Sequence, residues 1–283
     1  MKFSLVLATV GRTAELQRFL HSLSLQEYRD FELIVVDQNA DDRIVPLLAP
    51  YQERFSILHL RSEKGLSRAR NLGLKRIAGD VIAFPDDDCW YPRNVLSEVA
   101  NIMRQRDFID GVTGRSIDDE GKTSQGNFAR SAQIVDRDSV WRCGISYTIF
   151  LRRVVIEKVG LFDESLGVGA GTPWGSGEET DYLIRALDHG ARLRYDPRLA
   201  VCHPSKSITI DSNVLARAFA YACGWGRVVN KHHYGIVFKT KTLVRPFGGA
   251  VLSLLRFNLG RAAYHWNIFL GRCKGIMSRA ATT

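Results

Sequence analysis

Three consecutive carboxylates, Asp86, Asp87 and Asp88, follow directly on the apolar run Val81-Ile82-Ala83-Phe84. Like charges set side by side cost free energy unless cations or hydrogen-bond donors offset them. Hard divalent ions take oxygen ligands, and Mg²⁺ in particular is held by one or two carboxylates plus substrate phosphates. The triplet therefore reads either as a metal–diphosphate site at the end of a buried strand, or as a solvated acidic turn before a helix opening at Pro92. A second acidic group, Glu178-Glu179-Thr180-Asp181, comes directly after a segment with five glycines in the eleven residues 167–177. Glycine at that density predicts a mobile loop ahead of a charged helix start, the arrangement of a lid. Acids at a helix start also gain from its dipole, which accounts for one or two of the three without any chemistry.

The surrounding elements decide which reading fits. Apolar runs at 3–8, 31–36, 56–60 and 81–84 have the length and composition of buried strands. Between them Leu16, Phe19, Leu20 and Leu23 space out one face of a helix that Thr13 could cap, and Gly65-Leu66-Ser67-Arg68-Ala69-Arg70-Asn71 opens another. Strands alternating with helices predict βαβ units and a parallel sheet, and such sheets bind ligands beyond the carboxyl ends of their strands. Thr9, Arg12, Asp37, Arg70 and the triplet all follow strands in this way. No GxGxxG follows the first strand and no GxxxxGK[ST] occurs, so a nucleotide here would be held by side chains and metal. Further on, strands are predicted at 111–117, 144–151, 193–195 and 199–202, the last ending at His203. Short helices are predicted to close at 160–163 and at Gly190. Residues 208–231 read as helical but interrupted by Gly224-Trp225-Gly226.

A chain of 283 residues can bury a sizeable core. No charged-then-apolar leader is visible at its start, and no apolar run approaches the roughly 18 residues of a membrane span. Five cysteines without CxxC spacing argue against a disulfide framework or a cysteine zinc site and suit a reducing cytosol. The basic excess is local: residues 205–283 carry 12 Lys or Arg against one acid, Asp211, while the remainder carries 27 basic and 29 acidic side chains. That asymmetry predicts an anionic partner, membrane surface or nucleic acid. Between 245 and 275, aliphatic and aromatic residues interleave with Arg245, Arg256, Arg261, Arg272 and Lys274, the composition of a helix lying in a membrane interface. The aliphatic content fits lipid better than the phosphate track of a non-enzymatic nucleic-acid binder.

Five segments in order, Leu7-Ala8-Thr9-Val10-Gly11-Arg12, Val35-Val36-Asp37-Gln38-Asn39, residues 65–71, Phe84-Pro85-Asp86-Asp87-Asp88 and Gly177-Glu178-Glu179-Thr180-Asp181, resemble those of family 2 glycosyltransferases of the GT-A fold. The resemblance is nearest to bacterial enzymes that build capsular polysaccharide, exopolysaccharide or O-antigen, and covers residues 1–205. It implies an α/β chain with a GT-A domain over 1–205, Rossmann-like with a mostly parallel sheet flanked by helices; residues 206–283 lie outside the resemblance and read, from their composition, as a helical, basic, membrane-associating extension. It further implies that Asp37 contacts the donor's nucleobase beside Thr9, Arg12 and Arg70, and that the triplet corresponds to the DXD element. Asp86 and Asp88 fit a literal DXD, while distance from Pro92 favours Asp86 for ribose and Asp87 for the metal, Mg²⁺ or Mn²⁺. Asp88 and His203 complete the implied metal set. The acidic helix start corresponds to the element supplying the general base of inverting members. Its second position is Glu179 where the family usually has Asp, so Glu179 is the first candidate, with Glu178 and Asp181 behind it. The implied reaction moves a sugar from a nucleoside-diphosphate sugar to a saccharide or lipid-linked acceptor, at the cytoplasmic face of the plasma membrane. A nucleotidyltransferase making sugar nucleotides would share sheet and carboxylates, but its expected lysine just after the first strand is missing from Thr9-Val10-Gly11-Arg12-Thr13.

Overall fold

The computed structural model describes residues 1–106, 108–205 and 209–278. Of these, 1–64, 68–162 and 182–205 form one compact unit, and 65–67, 163–181 and 209–278 form another. In chain order the elements are β1 (Phe3–Thr9), α1 (Ala14–Ser24), β2 (Phe31–Asp37), α2 (Val45–Gln52), β3 (Ser56–Arg61), α3 (Leu66–Leu74), β4 (Val81–Ala83), α4 (Val95–Gln105), β5 (Gly111–Ile117), β6 (Gln133–Ile134), β7 (Ile149–Arg152), α5 (Arg153–Val159), α6 (Glu178–Asp188) and β8 (Leu193–Cys202). Three helices follow: α7 (Ser212–Lys231), α8 (Ile236–Leu255) and α9 (Leu259–Ile276).

The first unit is built on one eight-stranded sheet in the order β3-β2-β1-β4-β7-β5-β8-β6. Only β7 and β6 run against the others, so the sheet is mostly parallel as the alternation of elements predicts. All seven residues of β1 are buried, as expected of a strand covered on both faces. The pairing of β1 with β2 sets Thr9 level with Asp37, and an isolated bridge from Ala8 to Asp86 prolongs the line of β4. Three chain segments thus leave the sheet at one rim, each carrying a polar residue.

Several local expectations change. Thr13 stands at the head of α1, but its side chain makes no capping hydrogen bond. Helix α4 starts at Val95 rather than at Pro92, which belongs to the preceding turn. The strand expected over 144–151 is confined to β7; Ser146–Thr148 forms a 3₁₀ turn that buries Tyr147. The two short strands expected before His203 are one ten-residue strand, β8. Pro197 does not break it because the pairing shifts between Thr113 and Arg115, where the Pro197 carbonyl accepts Arg115 Nε at 2.8 Å.

In the second unit α7 packs on α9 and α9 on α8. The interruption expected at Gly224-Trp225-Gly226 does not occur, and α7 runs straight through. Its glycines lie where other backbone comes close: a Cβ on Gly226 would meet the Arg272 carbonyl at 2.5 Å, and one on Gly224 would strike Ser176. Helix propensity is given up for close approach. The predicted start at 208 lies outside the described residues.

Candidate functional site

At the rim of the first unit the triplet is wrapped in donors from other segments. Thr9 Oγ1 donates to Asp87 Oδ2 at 2.7 Å. Arg12 pairs with Asp87 Oδ1 and, through Nη2 at 2.8 Å, with Asp88 Oδ2. His203 Nε2 lies 3.1 Å from Asp88 Oδ1, its ring stacked on Tyr147 and hydrogen-bonded to Gln125. Arg70 Nη2 reaches Asp86 Oδ1 at 3.1 Å, its guanidinium buried beside the rings of Phe84 and Phe162. Burial pushes the Asp87 carboxyl above its usual range, with Arg12 and Thr9 pulling the other way. Burial would lower the Arg12 pKa, but Asp87, Asp88 and Asp86 outweigh that and raise it.

Asp37, one strand over, is fully buried. Its Oδ1 accepts from Asn39 N at 2.9 Å and Asn39 Nδ2 at 2.7 Å; Oδ2 faces Arg61 Nη1 at 2.9 Å and His59 Nε2 at 3.1 Å. All seven rim residues named from the sequence, Thr9, Arg12, Asp37, Arg70, Asp86, Asp87 and Asp88, therefore gather in one unit, together with His203. Sequence reasoning missed Arg61 and His59. Their signal was the two-residue spacing on β3, which puts both side chains on one face beside Asp37.

The donor set suits a divalent ion. Among the described residues the triplet's carboxylates stand close together in a largely buried cluster, paired with the guanidinium groups of Arg12 and Arg70. Asp88 and His203 offer a carboxylate oxygen and an imidazole nitrogen side by side. No group of three His, Cys, Asp or Glu side chains stands in metal-binding array among the described residues. Two protein ligands completed by diphosphate oxygens are the usual pattern for Mg²⁺. Asp87, both of whose oxygens are engaged by Thr9 and Arg12, sits behind that pair.

The acidic turn at the head of α6 belongs to the second unit. Asp181 is completely buried; its Oδ1 accepts from Lys231 Nζ at 2.7 Å and His232 Nε2 at 2.8 Å. Lys231 also meets Asp163 Oδ2 at 2.7 Å. Burial would raise the Asp163 carboxyl, but the Lys231 ammonium and Ser165 outweigh it and hold it below its ordinary value. Glu178 is buried and Glu179 half-buried. Asp163, Lys231 and His232 are the residues of this cluster that sequence reasoning did not connect with it.

The glycine-rich segment is fastened here rather than loose. Gly167 N donates to the Trp174 carbonyl at 2.9 Å, Gly175 N to the Ala220 carbonyl at 3.1 Å, and Ser176 Oγ to the Tyr221 carbonyl at 2.8 Å. Gly167, Gly169, Gly171 and Gly177 have positive φ. At Gly177 a Cβ would also come within 2.8 Å of Val228 Cγ2. The glycines satisfy turns and close packing.

A mostly parallel sheet with carboxylates at its C-terminal rim is the GT-A architecture of glycosyltransferases, and solved structures of that class superpose on this chain. TarS of Staphylococcus aureus matches with a TM-score of 0.63 and 16% identity, covering 97% of this chain and 92% of that one. The mannosyltransferase PcManGT of Pyrobaculum calidifontis, solved with GDP-Man and Mn²⁺, matches with a TM-score of 0.68 and 13% identity, covering 98% and 87%. Residues 4–160 match the profile of Glycosyl transferase family 2, and the chain belongs to that family. A Haemophilus influenzae glycosyltransferase is 29% identical over 283 residues, 94% of this chain and 89% of its own. The glycosyltransferase YwdF of Bacillus subtilis is 29% identical over 169 residues, and the matched stretch spans 62% of its length.

Proposed function

We propose that this family 2 chain transfers a sugar from a nucleoside-diphosphate donor to a saccharide hydroxyl on a lipid-linked acceptor, in polysaccharide biosynthesis, with inversion at the anomeric carbon. The observation that carries the reading is the interlocked rim of Thr9, Arg12, Arg70 and the aspartate triplet in the first unit. Guanidinium groups already paired with carboxylates are suited to exchange them for diphosphate oxygens, which they bind in the same forked geometry. Asp37 would accept from the nucleobase in exchange for one of its four present donors, and Asp86 would take the ribose. Mg²⁺ or Mn²⁺, held by Asp88 and His203 with Asp87 behind them, would supply Lewis-acid stabilisation of the charge growing on the diphosphate.

In the transfer, the acceptor oxygen bonds to the anomeric carbon as that carbon's bond to the diphosphate oxygen breaks. The electron pair leaves with the nucleoside diphosphate, and the hydroxyl proton passes to a carboxylate. Glu179 takes that role. Asp181 is committed to Lys231 and His232 and Glu178 is buried, whereas Glu179 keeps partial exposure. A single base with direct displacement inverts configuration; proton NMR showing a retained anomeric centre would overturn this part. The same reading makes the chain a peripheral protein of the cytoplasmic membrane face, held to anionic lipid through residues 245–275, and treats 1–205 and 206–283 as catalytic domain and extension.

Thermal-shift screening of nucleotide sugars with Mn²⁺ tests the reading. A true donor at a hundred times its dissociation constant stabilises by about 2.7 kcal/mol. The shift is expected to disappear with excess chelator. A screen in which no nucleotide sugar moves the transition would sink the proposal.

A further inference from the structure

Helix α8 has one buried face and one bare face. Thr242, Pro246, Ala250 and Ser253 are buried and form its inner side, in the unit where α8 packs on α9. Ile236, Val237, Val244, Phe247, Val251 and Leu255 are exposed, Ile236 at 76% and Leu255 at 71%. At 3.6 residues per turn these six fall within roughly 100° of arc, a continuous stripe along the helix. Lys241 and Arg245 are exposed along one border of the stripe. At its end the chain turns through Arg256, Phe257 and Asn258 into α9. Phe257 is 92% exposed and holds φ at +53°, a conformation that bulky side chains rarely adopt, and Leu259 beyond it is also bare. Arg256 and Arg261 flank this tip, and no acidic residue occurs after Asp211.

We infer that the α8 stripe and the α8–α9 tip form one surface that seats in the interface of an anionic bilayer, with Phe257 and Leu259 entering among the acyl chains. This rests on the membrane contact proposed above, but moves its onset from 245 back to Ile236 and assigns it to one face of α8 and the tip that follows it. The stripe offers aliphatic and aromatic side chains with one short hydroxyl, that of Thr240, among them, a composition that matches hydrocarbon. Its border is cationic only, which matches lipid phosphate. A second copy of the chain fits badly, because isologous pairing would bring Lys241, Arg245 and Arg256 against themselves without a single carboxylate to offset them. No helix among the described residues is long and apolar enough to cross a membrane, so the surface lies on the bilayer.

The test is flotation of the full chain with phosphatidylcholine vesicles carrying about a third phosphatidylglycerol, the anionic fraction that attracts basic segments. Binding is expected to fall about tenfold without the anionic lipid or at about 0.5 M salt, where charges are screened beyond a few ångströms. The exposed pair V237E/V244E is expected to release the chain about tenfold without altering its circular dichroism, as is F257S, because each removes insertion and adds no packing defect. Three results overturn the inference: no flotation with either lipid; flotation unchanged in both variants; or a concentration-dependent dimer in gel filtration that V237E/V244E makes monomeric. If the variants bind unchanged while substitution of Trp266 on α9 abolishes binding, this inference fails but the membrane contact of 245–275 stands.

Discussion

The molecule holds two acidic clusters, and they are neutralised by different chemistry. At the sheet rim Asp86, Asp87 and Asp88 meet guanidinium groups, Arg12 and Arg70, with a threonine hydroxyl and an imidazole completing the shell. At the head of α6 Asp181 meets an ammonium and an imidazole from consecutive residues at the end of α7. Arginine forks can trade a carboxylate for a phosphate with little loss of geometry, while a lysine point charge shared by the buried Asp181 and the half-buried Asp163 is a fastening. On the function proposed above, the first cluster would exchange its partners for ligand and the second would hold the α6 turn that carries Glu179. Each substitution below separates the two roles.

The largest effect is expected at the rim. Asp88→Ala should lower transfer by about 10⁴-fold, since loss of metal stabilisation worth about 5 kcal/mol corresponds to that factor. Its melting temperature should stay close to the parent's; a variant that keeps full activity in excess chelator would remove the metal from the mechanism. Glu179→Gln should reduce kcat by about 10³-fold and leave the KM for donor unchanged, the pattern of a lost general base. If Glu178→Gln does this instead, the base moves one residue and the comparison survives. Lys231→Met takes the ammonium away from the buried Asp181 carboxylate, and should cost about 3 kcal/mol of stability in denaturant melts. Adding Asp181→Asn should restore much of that loss, which a rim variant could not do.

The smallest effect concerns pH. Asp163 is held below its ordinary value, so its pairing with Lys231 stabilises the fold above the unfolded carboxylate's 3.8 and is lost as pH falls through the lower folded value. Parent and Asp163→Asn should differ by about 1 kcal/mol or less near neutrality. That difference should begin to shrink as pH falls below ~4, where the unfolded chain's carboxylates take up protons, and vanish only once pH is under the folded carboxyl's lower value.

The rim was legible in the sequence because Thr9, Arg12, Asp37 and the triplet close or shortly follow apolar runs, and parallel strands end together. Thr9, Asp37 and Asp86 needed no knowledge of partners to be grouped. The clamp on Asp181 was not legible: Lys231 and His232 come fifty residues later, and nothing in their spacing names the acid they reach. Arg61 and His59 were hidden by lying within an edge strand, where alternation shows a shared face but not what faces it. The glycines misled twice. In 167–177 and in α7 their number suggested looseness or a break, when several mark places where backbones come too close for a side chain. Residue counts carry no information about which neighbour makes a methyl group impossible.

The seam between α7 and α9 shows what such closeness implies. A Cβ at Gly271 would meet the Phe219 carbonyl at 2.5 Å, one at Gly275 would run into Cys223 and reach Arg227 N at 2.5 Å, and Gly226 mirrors them from the other helix. Two rods joined with no upholstery between them cannot slide by a turn or settle into a neighbouring notch. An alanine introduced at any of the three would wedge the joint open along its length, so random mutation should find this segment brittle.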